Sequence, residues 1–296
     1  MDITCFNDKL WDLIDDHVEC EVITKGFKSI EGPAWDKANN RLLFNDATGE
    51  KLYEWTCQGG TKVIREQNHM ANGNAIDEKG NIISCEHKTS RLVKIDKIGN
   101  EEVLASHYDK LGLNSPTDVV IKSDGAIYFT DPNLGRTKKN GSKGIQELFF
   151  QGIYKYDPKR KKLDLLIDNL KNPNGIVFSK DESKLFVSDT NDKSIWRYKV
   201  DKKGDLTYGE EWVTLDEKDI DSLHGLEIND RQDLICATTR GLLIFDRNGK
   251  KLGLIKLTGK PTNMAFGDGH MKSLYITLCD RLCKINMKIG KKHMYN

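Results

Sequence analysis

The segment Asn72-Gly73-Asn74-Ala75-Ile76-Asp77 is followed by the turn Glu78-Lys79-Gly80 and a second apolar run, Asn81-Ile82-Ile83-Ser84-Cys85. A third run follows, Arg91-Leu92-Val93-Lys94-Ile95. Short apolar runs separated by Gly, Asp and Asn turns are the signature of antiparallel hairpins. The same unit occurs five more times. Its opening element recurs at Glu31-Gly32-Pro33-Ala34-Trp35, Thr117-Asp118-Val119-Val120, Asn174-Gly175-Ile176-Val177-Phe178, His224-Gly225-Leu226-Glu227-Ile228 and Asn263-Met264-Ala265-Phe266. The spacing between openings is 39–57 residues. Most copies carry a fourth, weaker run, such as Lys62-Val63-Ile64 or Leu165-Leu166-Ile167.

Four short strands per unit at this period predict propeller blades. Six units predict an all-β, six-bladed β-propeller of four-stranded antiparallel blades. An open ring would expose strand edges on its first and last blades. The run Cys20-Glu21-Val22-Ile23 is expected to supply the outer strand of the last blade and close the ring. Upstream, Leu10, Trp11, Ile14 and Val18 lie near helical spacing, which predicts a short amphipathic helix over residues 8–18. Residues 1–19 therefore read as an N-terminal cap segment. No linker or low-complexity stretch interrupts the repeats, so residues 1–296 read as one domain.

Composition narrows the function. Lys+Arg 46 against Asp+Glu 45 leaves a formal net charge of +1, and the basic runs are short and beside turns. That balance argues against nucleic acid and anionic membranes as partners, since both need a clustered basic excess. No apolar run reaches membrane-spanning length, and the start Met1-Asp2-Ile3-Thr4 does not read as a secretory leader. The 7 cysteines are odd in number and form no Cys-x-x-Cys pair. Free thiols in a reducing, cytoplasmic compartment are expected. The chain lacks the common phosphate-loop, nucleophile-elbow and zinc-helix motifs.

In a propeller the opening strand of each blade lines the axis. The six opening residues, Glu31, Asn72, Thr117, Asn174, His224 and Asn263, should therefore converge on one channel mouth, with Asp118 adjacent. One carboxylate, three amides, a hydroxyl and an imidazole suit a hard divalent cation, calcium or magnesium, while the imidazole also admits zinc or manganese. Polar capping of short strands in a wet channel would use the same residue types. Each second strand returns to this face, which puts Asp46, Glu86, His87, Asp131 and Asp189 there too. The longest loop on this face, 131–151, holds Gly135, Gly141, Gly144 and the apolar Leu148-Phe149-Phe150, and reads as a lid or substrate wall.

These motifs together resemble the gluconolactonase, senescence-marker-protein and luciferin-regenerating-enzyme family, the bacterial gluconolactonases above all. The likeness rests on Glu31-Gly32-Pro33-Ala34-Trp35, Cys85-Glu86-His87, Asn114-Ser115-Pro116-Thr117-Asp118, Tyr128-Phe129-Thr130-Asp131-Pro132, Glu147-Leu148-Phe149-Phe150-Gln151-Gly152, Pro173-Asn174-Gly175 and Thr262-Asn263-Met264-Ala265-Phe266-Gly267. The resemblance implies a six-bladed propeller that opens a sugar lactone with one bound divalent cation. It implies Glu31 and Asn174 as metal ligands. The family's aspartate ligand and base falls at His224, and a family asparagine falls at Thr117. His224 and Asp118 are thus the candidate catalytic residues, with Thr117 and His224 completing the metal set. Asn72, Glu86, His87, Asn114, Ser115 and Asp131 are candidates for substrate contact. Other esters or phosphotriesters as substrates, or a non-catalytic binding propeller, are the alternatives on this fold. A monomer or small homo-oligomer is expected.

Overall fold

A computed structural model describes residues 2–136, 145–216 and 220–292. Six blade sheets form among these residues, one per predicted repeat, beside a two-stranded antiparallel sheet of His107–Tyr108 and Leu111–Gly112. Their inner strands are Ile30–Asp36, Ala71–Ile76, Val119–Ile121, Pro173–Phe178, Leu223–Ile228 and Pro261–Gly267, which define blades 1 to 6. Each inner strand pairs outward with its sequence neighbour, so every blade is a meander.

Alternation along the strands sends apolar side chains to both faces of each blade, and the core is split accordingly into seams between blades. Leu43 and Leu52 of blade 1 meet Ile82, Val93 and Ile95 of blade 2. Phe129 and Tyr154 of blade 3 stack with centroids 5.3 Å apart and join Cys85 and Leu92 of blade 2. The largest seam unites blades 5, 6 and 1 around Trp35, Phe44, Ile244 and Tyr275.

The ring closes as expected. Glu21–Lys25 pairs antiparallel with Arg281–Asn286 and completes blade 6. A second closure, not legible in the sequence, lies beside it: Asp2–Cys5 adds a fifth strand to blade 5 by pairing with Lys251–Lys256. The predicted helix over 8–18 is corrected. Only Asp8–Asp12 is helical, as a 3-10 turn capped by the Asn7 side chain. The apolar residues still point inward, since Leu10, Leu13 and Ile14 are fully buried. Asp15 and Asp16 favour local turns over a helix interior, and the chain must reverse within eight residues to reach Glu21. Removing residues 1–25 strips the outer strand from blade 6 and leaves an open edge. Such a truncation is expected to aggregate and to lose its cooperative thermal transition, which size-exclusion chromatography and a melting curve check.

Candidate functional site

The pairing of inner and second strands slips at the same place in most blades. The register shifts between Glu31 and Ala34, Ala71 and Asn74, Pro173 and Ile176, Leu223 and Leu226, and Pro261 and Asn263. These bulges take Asn72, Asn174 and His224 out of the ladder and towards the axis, while Glu31 and Asn263 stay paired, opposite Asn45 and Thr277. Glycine after the opening residue is what lets them converge. A Cβ at Gly73 would stand 2.6 Å from Asp118 Oδ1, and one at Gly175 would stand 2.5 Å from the His224 carbonyl. Backbone therefore packs directly on backbone around the axis.

The opening residues form a continuous ring. The Gly32 position abuts the Asn72 carbonyl, and Gly73 N–H donates to the Thr117 carbonyl at 2.7 Å. Thr130 Oγ1 donates to the Asn174 carbonyl at 2.7 Å, and Ser188 Oγ to the His224 carbonyl at 2.7 Å. Gly225 abuts the Asn263 side chain, and Thr262 Oγ1 donates to the Ile30 carbonyl at 2.9 Å. So blade 6 returns to blade 1, and the expected convergence is found.

The side chains on this ring differ in what remains free. Glu31 keeps some exposure as a residue, but its carboxyl is stripped of water. Desolvation pushes its pKa up to about 8, against a hydrogen bond from Thr262, and nearby Asp118 raises it further. No Lys or Arg pairs with it among the described residues. Asn174 is buried and donates from Nδ2 to Thr190 Oγ1 at 3.2 Å, leaving Oδ1 as an acceptor without a hydrogen bond. His224 bonds Ser222 Oγ through Nε2 at 2.8 Å. Burial, aided by Lys260, lowers its pKa to about 4, so the imidazole is neutral at pH 7. Neutral imidazole is the ligating form.

Asp118 takes the place held by glycine in most other blades and puts a carboxylate on the axis. It accepts from Val119 N–H at 3.1 Å, from Ile176 N–H of blade 4 at 3.3 Å and from the Asn263 side chain of blade 6. Burial raises its pKa to about 6. On its far side begins a cavity of about 220 Å³, lined by Ala34, Ile76, Phe178, Met264 and Glu227. Asp118 thus separates the mouth from the apolar end of the channel. A wider recess, about 1670 Å³, lies elsewhere, between the outer strands of blades 2 and 3, and includes none of the opening residues.

The remaining candidates are tied into the scaffold. The Thr117 hydroxyl donates to the Ser115 carbonyl at 2.9 Å and receives His87 Nε2–H at 3.1 Å. One lone pair is left for a ligand. His87 is held neutral by burial, which lowers its pKa to about 4. Asn114 and Ser115 are fully buried. Asn114 Nδ2 donates to the Phe150 and Asp131 carbonyls, and Ser115 Oγ donates to the Pro132 carbonyl at 2.5 Å while accepting Gly135 N–H at 2.9 Å. Asp131 accepts Asn114 N–H at 2.8 Å and a second backbone bond from Ser115. Burial still lifts its pKa to about 7. Glu86 is enclosed by Arg65 at 2.8 Å and Arg91 at 2.7 Å and points away from the axis. Asp46 and Asp189 likewise accept backbone N–H groups from the segments that lead into the inner strands of blades 1 and 4. Asn72 is partly exposed at the mouth. The predicted lid falls partly outside the described residues, which omit 137–144. Of its apolar triplet, Leu148 is buried and Phe149 is 98% exposed.

Several mouth residues carried no visible signal in sequence: Thr190, Ser222, Lys260 and Cys279. Thr190 follows Asp189 and shares its face, which is the one clue available. Among the described residues no three His, Cys, Asp or Glu side chains gather as a metal-binding group. A cation at this mouth therefore has to rely on mixed donors: one carboxylate, one imidazole, and amide or hydroxyl oxygens. Glu31, lacking a cationic partner, and the free Asn174 Oδ1 fit such an ion.

Known proteins resemble this chain. A gluconolactonase from Zymomonas mobilis is 29% identical over 97% of this chain and 86% of its own length. A pentonolactonase from Haloferax volcanii is 20% identical over 83% of this chain and 80% of its own. A solved gluconolactonase from Xanthomonas campestris superposes with a TM-score of 0.89 at 28% identity, covering 96% of this chain and 94% of that one. A family model described as SMP-30/Gluconolactonase/LRE-like region matches residues 30–280, and the chain belongs to that family.

Proposed function

We propose that this protein is a lactone hydrolase that opens a sugar lactone to its hydroxy acid, with one divalent cation at the channel mouth. The observation that carries the reading is Glu31: a desolvated carboxylate on the ring, without a cationic side chain, in a family whose relatives are named for lactone opening. Glu31, Asn174 Oδ1 and His224 Nδ1 would hold the cation, with the spare Thr117 lone pair beside them. When bound, the cation supplies polarisation of the lactone carbonyl. Calcium fits the oxygen-rich set best, and zinc, magnesium or manganese are the alternatives that the imidazole admits.

The chain's own groups supply the rest. Ser222 Oγ fixes the His224 ring by holding Nε2, so His224 ligates through the other nitrogen and is not the base. Asp118 is the proposed base. It lies on the axis beneath the ring, clamped by backbone N–H groups from blades 3 and 4. Water attacks the carbonyl carbon, its proton passes to the Asp118 carboxylate, and the ring C–O bond breaks. The proton then goes to the departing alkoxide. Asn72, His87 and the exposed segment around Phe149 border the space for sugar hydroxyls. Asn114, Ser115, Glu86 and Asp131 act by holding that wall.

The cation and the Glu31 proton compete. Glu31 near pKa 8 is largely protonated at pH 7 in the cation-free protein, so binding must expel a proton. Apparent cation affinity is therefore expected to rise as pH climbs from 6 to 8. Calorimetric titration with the cation in two buffers of different ionisation enthalpy measures that release directly.

The activity is tested by supplying glucono-δ-lactone to metal-stripped protein and then restoring calcium, magnesium, zinc or manganese in turn. Turnover that returns with the cation supports the proposal. Cation-dependent turnover of a phosphotriester without lactone would move it to the ester-hydrolase reading. Absence of both turnover and cation binding would leave a binding propeller. We further read the chain as one domain, because its first strands complete its last two blades. No helix is long and apolar enough to cross a membrane among the described residues. With its free thiols and near-zero net charge, a cytoplasmic enzyme, monomeric or a small homo-oligomer, without nucleic acid, is the reading they support.

A further inference from the structure

The seven cysteines are free in this structure, and two of them meet at the ring closure. Cys20 lies one residue before Glu21–Lys25, the strand that the N-terminus lends to blade 6. Cys283 lies within Arg281–Asn286, the strand it pairs with, opposite Val22. Both pack into the seam that joins blades 5, 6 and 1. The two thiols share a side-chain hydrogen bond.

We propose that Cys20 and Cys283 form a reversible disulfide that latches the propeller shut under oxidising conditions. The two side chains lie in one seam, with Cys20 two residues before the Val22 that faces Cys283, and Cys20 precedes the ladder, so its backbone is free of strand pairing and can adjust to bridging geometry. Their exposures differ in the way a reactive pair requires. Cys20 is half-buried, while Cys283 is buried. The contact with Cys283 and the Arg281 charge lower the Cys20 pKa, which favours the thiolate. The same contact and burial raise that of Cys283.

The oxidant is a peroxide. The Cys20 thiolate attacks one peroxide oxygen, the O–O bond breaks, and Cys20 becomes a sulfenic acid with release of water. Cys283 sulfur then attacks the Cys20 sulfur. The S–S bond forms, the S–O bond breaks, and the leaving hydroxide takes the Cys283 proton as water. Two thiols and one hydrogen peroxide give one disulfide and two waters. A dithiol reductant reverses the step.

The consequence reaches the mouth. The turn between the last two strands of blade 6 receives the chain that follows the latch strand: Gly26 and Phe27 N–H donate to the Asp280 carbonyl, and Ile30 N–H to that of Cys279 at 2.6 Å. Glu31 is the next residue. Without a covalent tie, the outer strand rests on its ladder and on an ion pair between Lys284 and Glu21 at 2.9 Å. A bond between residues so far apart in sequence removes much of the freedom of the unfolded chain.

The experiment treats the full chain with stoichiometric hydrogen peroxide, quenches it by alkylation, and maps cross-linked peptides by mass spectrometry. A Cys20–Cys283 peptide pair is expected. So is a rise in thermal midpoint of about 5 °C or more, reversed by dithiothreitol. Cys20→Ser should abolish both changes while melting like the reduced parent, and a variant with Cys5→Ser and Cys57→Ser should keep both. Cys20→Ser is exposed enough to fold, so the test does not depend on altering buried Cys283. Peroxide stabilisation that persists in Cys20→Ser, or a cross-link from Cys20 to another cysteine, overturns the proposal. So does a Cys20–Cys283 bond that leaves the melting unchanged.

Discussion

Glu31→Gln should abolish cation-dependent lactone opening, with kcat/KM falling at least ~100-fold, because carbonyl polarisation by a bound ion contributes several kcal/mol of transition-state stabilisation. The same change should leave folding intact. Glutamine is nearly isosteric, and it removes a carboxyl that burial disfavours. The cation-free variant is expected to melt at or slightly above the parent. Added calcium, which stabilises the parent by mass action, should no longer raise its midpoint. Steady-state kinetics and melting curves with and without cation separate these effects. An active variant that still gains stability from calcium would show that the cation lies elsewhere on the ring. His224→Ala should share the loss of cation response, whereas Asp118→Asn should bind the cation and turn over slowly, as a base variant does.

Gly32→Ala should be among the most destabilising single-methyl changes. Gly32 has φ 55°, a conformation that L side chains resist, and a Cβ would press far inside contact distance of the Asn72 carbonyl on the next blade. Nothing there can give way, because the opposing atoms are backbone. Strain and overpacking together should cost roughly 3 kcal/mol or more. That corresponds to a drop in thermal midpoint of about 6–12 °C. Gly269→Ala is the matched control, since its Cβ would meet nothing within 4 Å, and its melting should change by little. Equal melting of both variants would refute the close-packed ring as the reason for the recurring glycine.

That glycine shows how far the sequence carries. Asn72-Gly73, Asn174-Gly175 and His224-Gly225 read as repeated units because each blade meets the same local demand: polar residue at the mouth, no side chain at the interblade contact, then apolar strand. A demand met once per blade leaves a period, and the period yields blade number, ring closure by Glu21–Lys25 and the placement of Glu31, Asn174 and His224 on one ring. The fifth strand, Asp2–Cys5, leaves no such trace. It is four residues long, lies outside the repeats and is recruited by an open edge on blade 5.

What each site residue does was decided by the tertiary structure. Asn114, Ser115, Asp131 and Glu86 are the residue types that bind sugars, yet their hydrogen bonds go to Phe150, Pro132, the 114–115 backbone and two arginines. Those partners lie on other strands and loops, and Arg65 comes from a neighbouring blade. Sequence periodicity reports which face a side chain takes, because strand geometry is local. Whether a polar atom on that face is satisfied or left for a ligand depends on groups brought near only by folding. Glu31 without a cation beside it, and Cys20 against Cys283, are of that second kind.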